Sequence, residues 1–278
     1  MILIIGASGQ IGLRVSTRLA GRSDLRVLAH SDGSAEKLSA LGIKDVVRGD
    51  LMKPETLEPV FDGVDRVFLL THGTETPEQE INAIEAAEAA GVGRVVKLSS
   101  EAVMLAEEAG VTGPPTGGEP DTRDMVLVMH QNAEIRLRQS SMEAVILRPT
   151  WFASVHTLVM VAPDFAENNL VWPAQGTPMA FIHPDDVADV AVECLLADTP
   201  VAETLHLTGP EAIGFDDLAG RLAKAAGRPI RFQDMPYDDY IQYLTDRELL
   251  PAQHAVAITE IIKPFSERST VPVTDDVQ

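Results

Sequence analysis

The sequence predicts an α/β protein, a doubly wound parallel sheet followed by a smaller α+β region toward the C-terminus. Two observations carry this expectation. Short apolar runs alternate with helix-length segments through the first half of the 278 residues, at the pitch of right-handed βαβ units. The first apolar run also ends in a glycine-rich turn, Gly6-Ala7-Ser8-Gly9-Gln10-Ile11-Gly12, which opens the first helix. Composition agrees. Hydrophobic residues make up 45% and charged residues 23%, a balance that excludes disordered and collagen-like chains.

Taken in order, strands are expected at 1–5, 25–30, 45–48, 66–70, 94–98 and 144–147. Helices are expected between them at about 11–20, 34–41, 54–61, 77–90 and 123–139. The fourth helix carries its own punctuation: Thr76 and Gln79 as a capping box, Pro77 at the first position, Gly91 as the stop. Beyond Pro149 the alternation weakens. A strand at 177–183 precedes a helix at 184–197, capped by Asp185 or Asp186. Short strands at 206–208 and 229–232 flank a helix from 214 to about Gly227, and the chain is helical again from Tyr237. The Gly/Pro-rich stretch 111–120 reads as a lid or binding loop, or as an insertion.

Charge and cysteine content exclude several function classes. With 22 Lys+Arg against 42 Asp+Glu the net charge is −20, which disfavours nucleic acid and anionic membrane surfaces as partners. One cysteine permits neither an intramolecular disulfide nor a cysteine metal cluster, and Cys194 sits in an apolar helical stretch as a buried thiol. No metal site is expected; His183 beside Asp185 and Asp186 reads as a helix cap. The five apolar residues at the start lack a basic flank, and no run approaches the roughly 20 needed to span a bilayer, so a cytoplasmic location is expected.

The glycine turn points to a dinucleotide. Gly6, Gly9 and Gly12 let the backbone approach a pyrophosphate, whose charge rests on a helix N-terminus through groups around Ser8, Gln10 and Ile11. That assigns residues 1–150 to a Rossmann-type NAD(P)-binding domain and 151–278 to a smaller substrate-binding domain, with the chain returning to the first near 177–208. The second strand ends at His30-Ser31 with no carboxylate for a ribose 2′-hydroxyl; Asp32 follows two residues later. His30 and Ser31 are candidates for a 2′-phosphate, which favours NADP(H) over NAD(H) by a small margin, although no Arg stands there. The alternative for His30 is an ordinary surface histidine. Asp50, followed by Leu51, lies where an adenine amino group would sit, with a helix-capping role as the alternative. Thr71 and His72 are expected along the pyrophosphate and ribose.

Several segments together resemble the NmrA-like atypical short-chain dehydrogenases/reductases. They are the glycine turn, Gly49-Asp50-Leu51, 63–70, Ala89-Ala90-Gly91-Val92, Val96-Lys97-Leu98-Ser99-Ser100, His130-x-x-Ala133-Glu134, Ile146-Leu147-Arg148-Pro149 with Trp151-Phe152, 182–188 and 207–210. The resemblance implies an NADP-preferring Rossmann domain, with Pro149 and Ser99 beside the cofactor, and a smaller substrate domain. It implies a function among quinone and other reductases, biosynthetic enzymes and non-catalytic redox sensors. The cation usual where His30 stands is missing.

No Tyr-x-x-x-Lys pair exists; the tyrosines are Tyr237, Tyr240 and Tyr243, far past the first sheet. In the helix where the pair would lie, His130 and Glu134 are four apart on one face, a spacing that suits a general acid held by a carboxylate or an ordinary ion pair. Ser99 and Ser100 end the fifth strand, where they would meet nicotinamide or substrate, or simply form the turn. Trp151 and Phe152 suit the wall of a pocket for a small, flat, apolar molecule, or the core. The expected activity is NAD(P)H-dependent reduction of a carbonyl, quinone or enone. The alternatives are a dinucleotide-binding sensor and a redox-neutral cyclase or dehydratase.

Overall fold

The strands are β1 (Ile2–Ile4), β2 (Leu25–Ala29), β3 (Asp45–Arg48), β4 (Arg66–Leu69), β5 (Arg94–Leu98), β6 (Glu143–Pro149), β7 (Asn169–Trp172), β8 (Thr204–Leu207) and β9 (Arg231–Asp234). The helices are α1 (Gln10–Leu19), α2 (Asp32–Ala40), α3 (Glu58–Phe61), α4 (Thr76–Ala89), α5 (Glu101–Glu108) and α6 (Gln131–Arg138). Four more follow: α7 (Pro184–Leu196), α8 (Phe215–Ala226), α9 (Tyr237–Asp246) and α10 (Ala252–Ser266). The computed structural model describes residues 1–73, 75–108, 110, 130–154, 167–268 and 271–277. Seven parallel strands form one sheet in the order β3-β2-β1-β4-β5-β6-β8. The chain winds outward from β1 to β3, then crosses to β4 on the other side of β1. A crevice therefore opens above the carboxyl ends of β1 and β4, the usual ligand position in such sheets.

Strand periodicity decides what each face holds. Ile2, Ile4, Phe68, Val96 and Leu98 point to one face and pack against Ile11, Val15, Val187 and Ala191 from α1 and α7. Leu3, Ile5, Val67, Leu69 and Val95 point to the other and meet Val60, Ile84, Ala133 and Leu137. Burial on both faces is why these strands are apolar at most positions. A third cluster belongs to the C-terminal region, where β7 and β9 pair in parallel and Trp172, Phe215, Tyr240 and Ile262 pack together. Between these parts, α7 lies against α1 and β8 pairs with β6, so residues 184–207 return to the main sheet.

Several local expectations are corrected. Glu75, not Thr76, is the N-cap of α4, and Gln79 Nε2 donates to Glu75 Oε2 (3.3 Å), so the capping box does not form. Gly91, at φ +75°, does end that helix region. The stretch 177–183 makes only isolated bridges at Met179 and Ile182, since Pro178 lacks an N–H and the chain passes between the two sheets. The cap of α7 is His183, whose Nδ1 accepts from the Asp185 backbone N–H (3.2 Å), while Asp185 itself binds Arg14 and Arg18. β7 was not anticipated, and β9 lies two residues beyond the expected strand. The helix at 54–61 is a 3₁₀ turn (Pro54–Thr56) followed by the short α3. The loop 111–120 and the first part of the expected helix 123–139 lie outside the described residues.

One buried side chain joins the return segment to the sheet. Arg94, 5% exposed, donates from Nη1 to the carbonyls of Cys194 and Ala197 (both 2.7 Å) and from Nη2 to that of Thr199 (2.9 Å). Its Nε meets Glu143 at 2.9 Å. The cation thus satisfies carbonyls left open at the C-terminus of α7. Cys194 itself is buried, and desolvation pushes its thiol up to about 11, as suits an inert packing residue. Arg94→Met leaves those carbonyls and a carboxylate without their donor. The expected loss is about 2–4 kcal/mol of unfolding free energy, read from urea midpoints at unchanged m-value.

Candidate active site

The glycines of the first turn serve different ends. Gly6 has φ +83°, and a Cβ on it would lie 2.4 Å from the Leu70 carbonyl oxygen. A Cβ on Gly12 would lie 2.2 Å from the Gly6 oxygen. Both are needed for α1 to seat against the strand ends. Gly9 is different: its φ is −83°, and a Cβ there would meet only the Gly6 oxygen, at 3.3 Å. Gly9 is the N-cap of α1 and no side chain caps that helix. The first-turn N–H groups therefore face the crevice with the positive end of the helix dipole, which fits a pyrophosphate.

From this turn a cleft of about 840 Å³ runs along the carboxyl ends of the strands. Gly6, Ser8, Gly9, Gln10 and Ile11 line one part, with His30, Asp50 and Leu51 at one side. Thr71 and His72 line the middle; the Thr71 hydroxyl is buried and has no partner among the described residues. Ser99, Ser100, His130, Pro149, Trp151 and Phe152 line the far part. Gly12, Ser31 and Glu134 do not line it: Gly12 packs on Gly6, and the other two are held elsewhere. Glu75, Gln79, Ile261 and Phe265 are among the further lining residues and were not foreseen there. The last two come from α10, placed by long-range packing that no local pattern reports.

At the adenosine side, Ser31 caps α2. Its Oγ accepts from the Ser34 N–H (3.2 Å) and its N–H donates to Ser34 Oγ (3.1 Å), so its hydroxyl is already engaged. His30 is exposed. A cation does stand nearby, on the neighbouring strand. Arg48 pairs in register with Ala29, and its Nη1 lies 3.3 Å from Asp32 Oδ1. Lys37 reaches across to donate to the Ser8 carbonyl (3.0 Å). Asp50 accepts from the Met52 N–H (3.0 Å) and pairs with Lys53 (3.1 Å), contacts that hold its carboxyl below the usual range. Asn82 fixes the next turn by donating to the Leu51 carbonyl (2.8 Å).

The far part rests on buried charge. Lys97 and Glu80 are both fully buried, with Lys97 Nζ 2.8 Å from Glu80 Oε1, 2.7 Å from the Leu98 carbonyl and 3.0 Å from His130 Nδ1. His130, 17% exposed, lies between this pair and the cleft. Burial and then the Lys97 charge push its pKa below that of a free imidazole, against the pull of Glu80 and Glu134, which favours the neutral ring. Glu80 sits below the usual carboxylate range: burial pushes it up, and Lys97 and His130 together outweigh that.

Glu134 does not hold His130. Its carboxylate accepts from the Ser99 hydroxyl and from Arg148 (Nη2 2.6 Å, Nε 3.2 Å), with Arg138 at 3.2 Å. Arg148 continues to Glu107 through two bonds of 2.9 and 2.8 Å, and its pKa is raised. The i,i+4 spacing put both side chains near one helix face but not in contact. Ser99 thus spends its hydroxyl proton on Glu134 and presents an acceptor lone pair to the cleft. The aromatic wall is fixed by edge-on packing of Trp151 against Trp172 and Phe265, with centroids 5.2 and 5.5 Å apart.

Fold and cleft define an NAD(P)H-dependent oxidoreductase of the short-chain type that lacks the Tyr-x-x-x-Lys pair. The NAD(P)H-binding family model matches residues 6–198. Sequence relatives include the (4-alkanoyl-5-oxo-2,5-dihydrofuran-3-yl)methyl phosphate reductase of Streptomyces griseus, 33% identical over 96% of this chain and 86% of the relative. Another is the NAD(P)H azoreductase of Xenophilus azovorans, 28% identical over 94% and 86% of the respective chains. Among solved structures, the Citrobacter triphenylmethane reductase with NADP(H) shares the fold at TM-score 0.82 and 20% identity, covering 100% of this chain and 93% of its own. The Escherichia coli NADPH-dependent quinone oxidoreductase shares it at 0.81 and 22%, with the same coverage. The chain belongs to the NAD(P)H-binding family, among its NmrA-like atypical short-chain dehydrogenases/reductases.

The glycine analysis separates binding from folding. Gly9→Asp places a carboxylate in the pyrophosphate position, and its Cβ meets the backbone only at the Gly6 oxygen, 3.3 Å away, where a shift of a few tenths of an ångström is needed. The folded variant, with unchanged circular dichroism, is expected to show no NADPH binding by fluorescence titration; unchanged affinity would refute the placement.

Proposed function

We propose that the chain reduces a small, flat, conjugated acceptor, such as a quinone or enone, with NADP(H) preferred over NAD(H). The observation that carries this reading is the far part of the cleft, where Ser99 and His130 face the aromatic wall of Trp151, Phe152 and Phe265. When bound, the dinucleotide supplies a hydride. The chain must then position the acceptor, exclude water and deliver a proton. An apolar aromatic wall suits a planar acceptor, and a neutral His130 offers a proton where a short-chain reductase would use tyrosine. The substrate named for the Streptomyces relative is a (4-alkanoyl-5-oxo-2,5-dihydrofuran-3-yl)methyl phosphate, whose ring alkene is conjugated to carbonyls as in this acceptor class and which also carries a phosphate.

The preference for NADP(H) rests on Arg48 and Lys37, which flank the ribose position from β3 and α2. Arg48 is half-exposed and paired to an almost fully exposed Asp32, an ion pair that a 2′-phosphate would exchange for a charge-assisted contact. Arg48→Ala is expected to weaken NADPH binding about tenfold and NADH binding by less than about twofold, measured by parallel titrations. Equal loss for both would remove Arg48 from 2′-phosphate recognition.

Activity is tested by mixing the protein with NADPH and a panel of quinones and enones and following nicotinamide absorbance. Turnover of at least one conjugated acceptor is expected; tight NADPH binding with none turned over would favour a sensor instead. With an acceptor in hand, His130→Ala should lower kcat by about 10²–10⁴-fold with little change in NADPH affinity. Full turnover of that variant across pH 6–8 would make the histidine structural only.

A further inference from the structure

Lys97 is the next-to-last residue of β5, between β4 and β6, a strand whose one other charged residue is Arg94 at its start. An ammonium has three protons and no lone pair, and the three acceptors around Nζ (Glu80 Oε1, the Leu98 carbonyl and His130 Nδ1) engage all of them. Nδ1 is thereby held as an acceptor. A neutral imidazole so held carries its own proton on Nε2. Glu80 Oε2 stands 3.5 Å from the same Nδ1. Without the lysine, that carboxylate would draw a proton onto Nδ1 and leave Nε2 a bare acceptor. The other charged group acting on the ring is Glu134 on its own helix, engaged by Arg148 and Arg138; His72 and Glu75 line the same cleft.

We propose that Lys97, anchored by Glu80, is the positioning residue and proton relay of this site: it sets the Nε2–H tautomer of His130 and recharges the ring through Nδ1. The proposal rests on the reading of His130 as proton donor. The relay balances as follows. As the Nε2–H bond breaks and its proton passes to the reduced acceptor, one N–H bond of Lys97 breaks and that proton forms Nδ1–H. The imidazole stays neutral with its tautomer reversed, and Lys97 becomes a neutral amine beside Glu80. A solvent proton then adds to Nε2 and the Nδ1 proton returns to Lys97. The site consumes one solvent proton per turnover, and no imidazolate forms.

The test is a long-range ¹H–¹⁵N correlation spectrum of histidine-labelled protein at pH 8, read without cofactor or substrate. His130→Gln identifies the His130 signals among the seven histidines. The expected result is a protonated Nε2 and an unprotonated Nδ1; an Nδ1–H tautomer in the wild-type protein overturns the proposal. In Lys97→Met the tautomer should reverse and the His130 titration should move up by about a unit. Its kcat should fall about 10²-fold while the NADPH KM stays within about twofold. An unchanged tautomer, or full turnover, overturns the relay. If Lys97→Met alone does not fold, Lys97→Met/Glu80→Gln removes both buried charges together; it should lose the same turnover, and wild-type turnover from it overturns the relay. A protein with the expected tautomer but no acceptor reduced would count against the proposed reductase activity and leave the lysine's control of the tautomer standing.

Discussion

The architecture depends on one close approach: α1 sits so near the ends of β1 and β4 that neither Gly6 nor Gly12 has room for a Cβ. That contact fixes where the helix N-terminus points, and it points into the crevice at the topological switch. The same helix carries the opposite anchor. Arg14 and Arg18 bind Asp185, and Arg18 also binds Asp189, so α7 and the returning chain are tied to the element that faces the pyrophosphate position. These ion pairs are partly exposed and individually weak. Their geometric effect is larger, because α7 leads into β8 and closes the sheet beside β6. Substrate-side residues such as Trp151 are thus placed relative to the same frame as the glycine turn.

Beneath the far part of the cleft the sheet departs from its apolar pattern. Two charge clusters lie side by side, Lys97–Glu80 against His130 and Glu134–Arg148–Glu107 against Ser99. Buried ion pairs of this kind add little net stability over apolar residues of similar size, since desolvation offsets most of the attraction. Their value here is directional. One cluster fixes the hydrogen-bond role of His130, the other that of Ser99, so both groups meet a ligand with defined donor and acceptor sides and no reorganisation.

Much of this was legible in the sequence for physical reasons. Strands buried on both faces are mostly apolar, so β1, β2, β4 and β5 stand out, and the glycine turn stands out because Gly6 and Gly12 leave no room for a Cβ. The cleft residues that follow strand ends, from Thr71 to Phe152, were legible for the same reason. What escaped depends on distant neighbours. Arg48 serves the end of β2 from the next strand, so reading along β2 alone finds no cation. The i,i+4 relation of His130 and Glu134 gives a shared face, but Arg148 from β6 captures the carboxylate. Lys97 did leave a signal: a charge near the carboxyl end of a strand buried on both faces requires a partner. Glu80, on the stripe of α4 that also buries Thr76, Ala83, Ile84 and Ala87, is the matching anomaly. β7 and the Ile261–Phe265 wall arise only from the packing of the C-terminal region.

The central claim is that the dinucleotide lies along this cleft, with its pyrophosphate on α1 and its reactive ring between Ser99 and His130. A crystal structure of the protein with NADP⁺ tests it most directly. The account predicts pyrophosphate oxygens accepting from the N–H groups around Gly9–Ile11, and the nicotinamide within about 3.5 Å of Ser99 on the His130 side. A dinucleotide bound elsewhere, or with its nicotinamide directed away from His130, would contradict it.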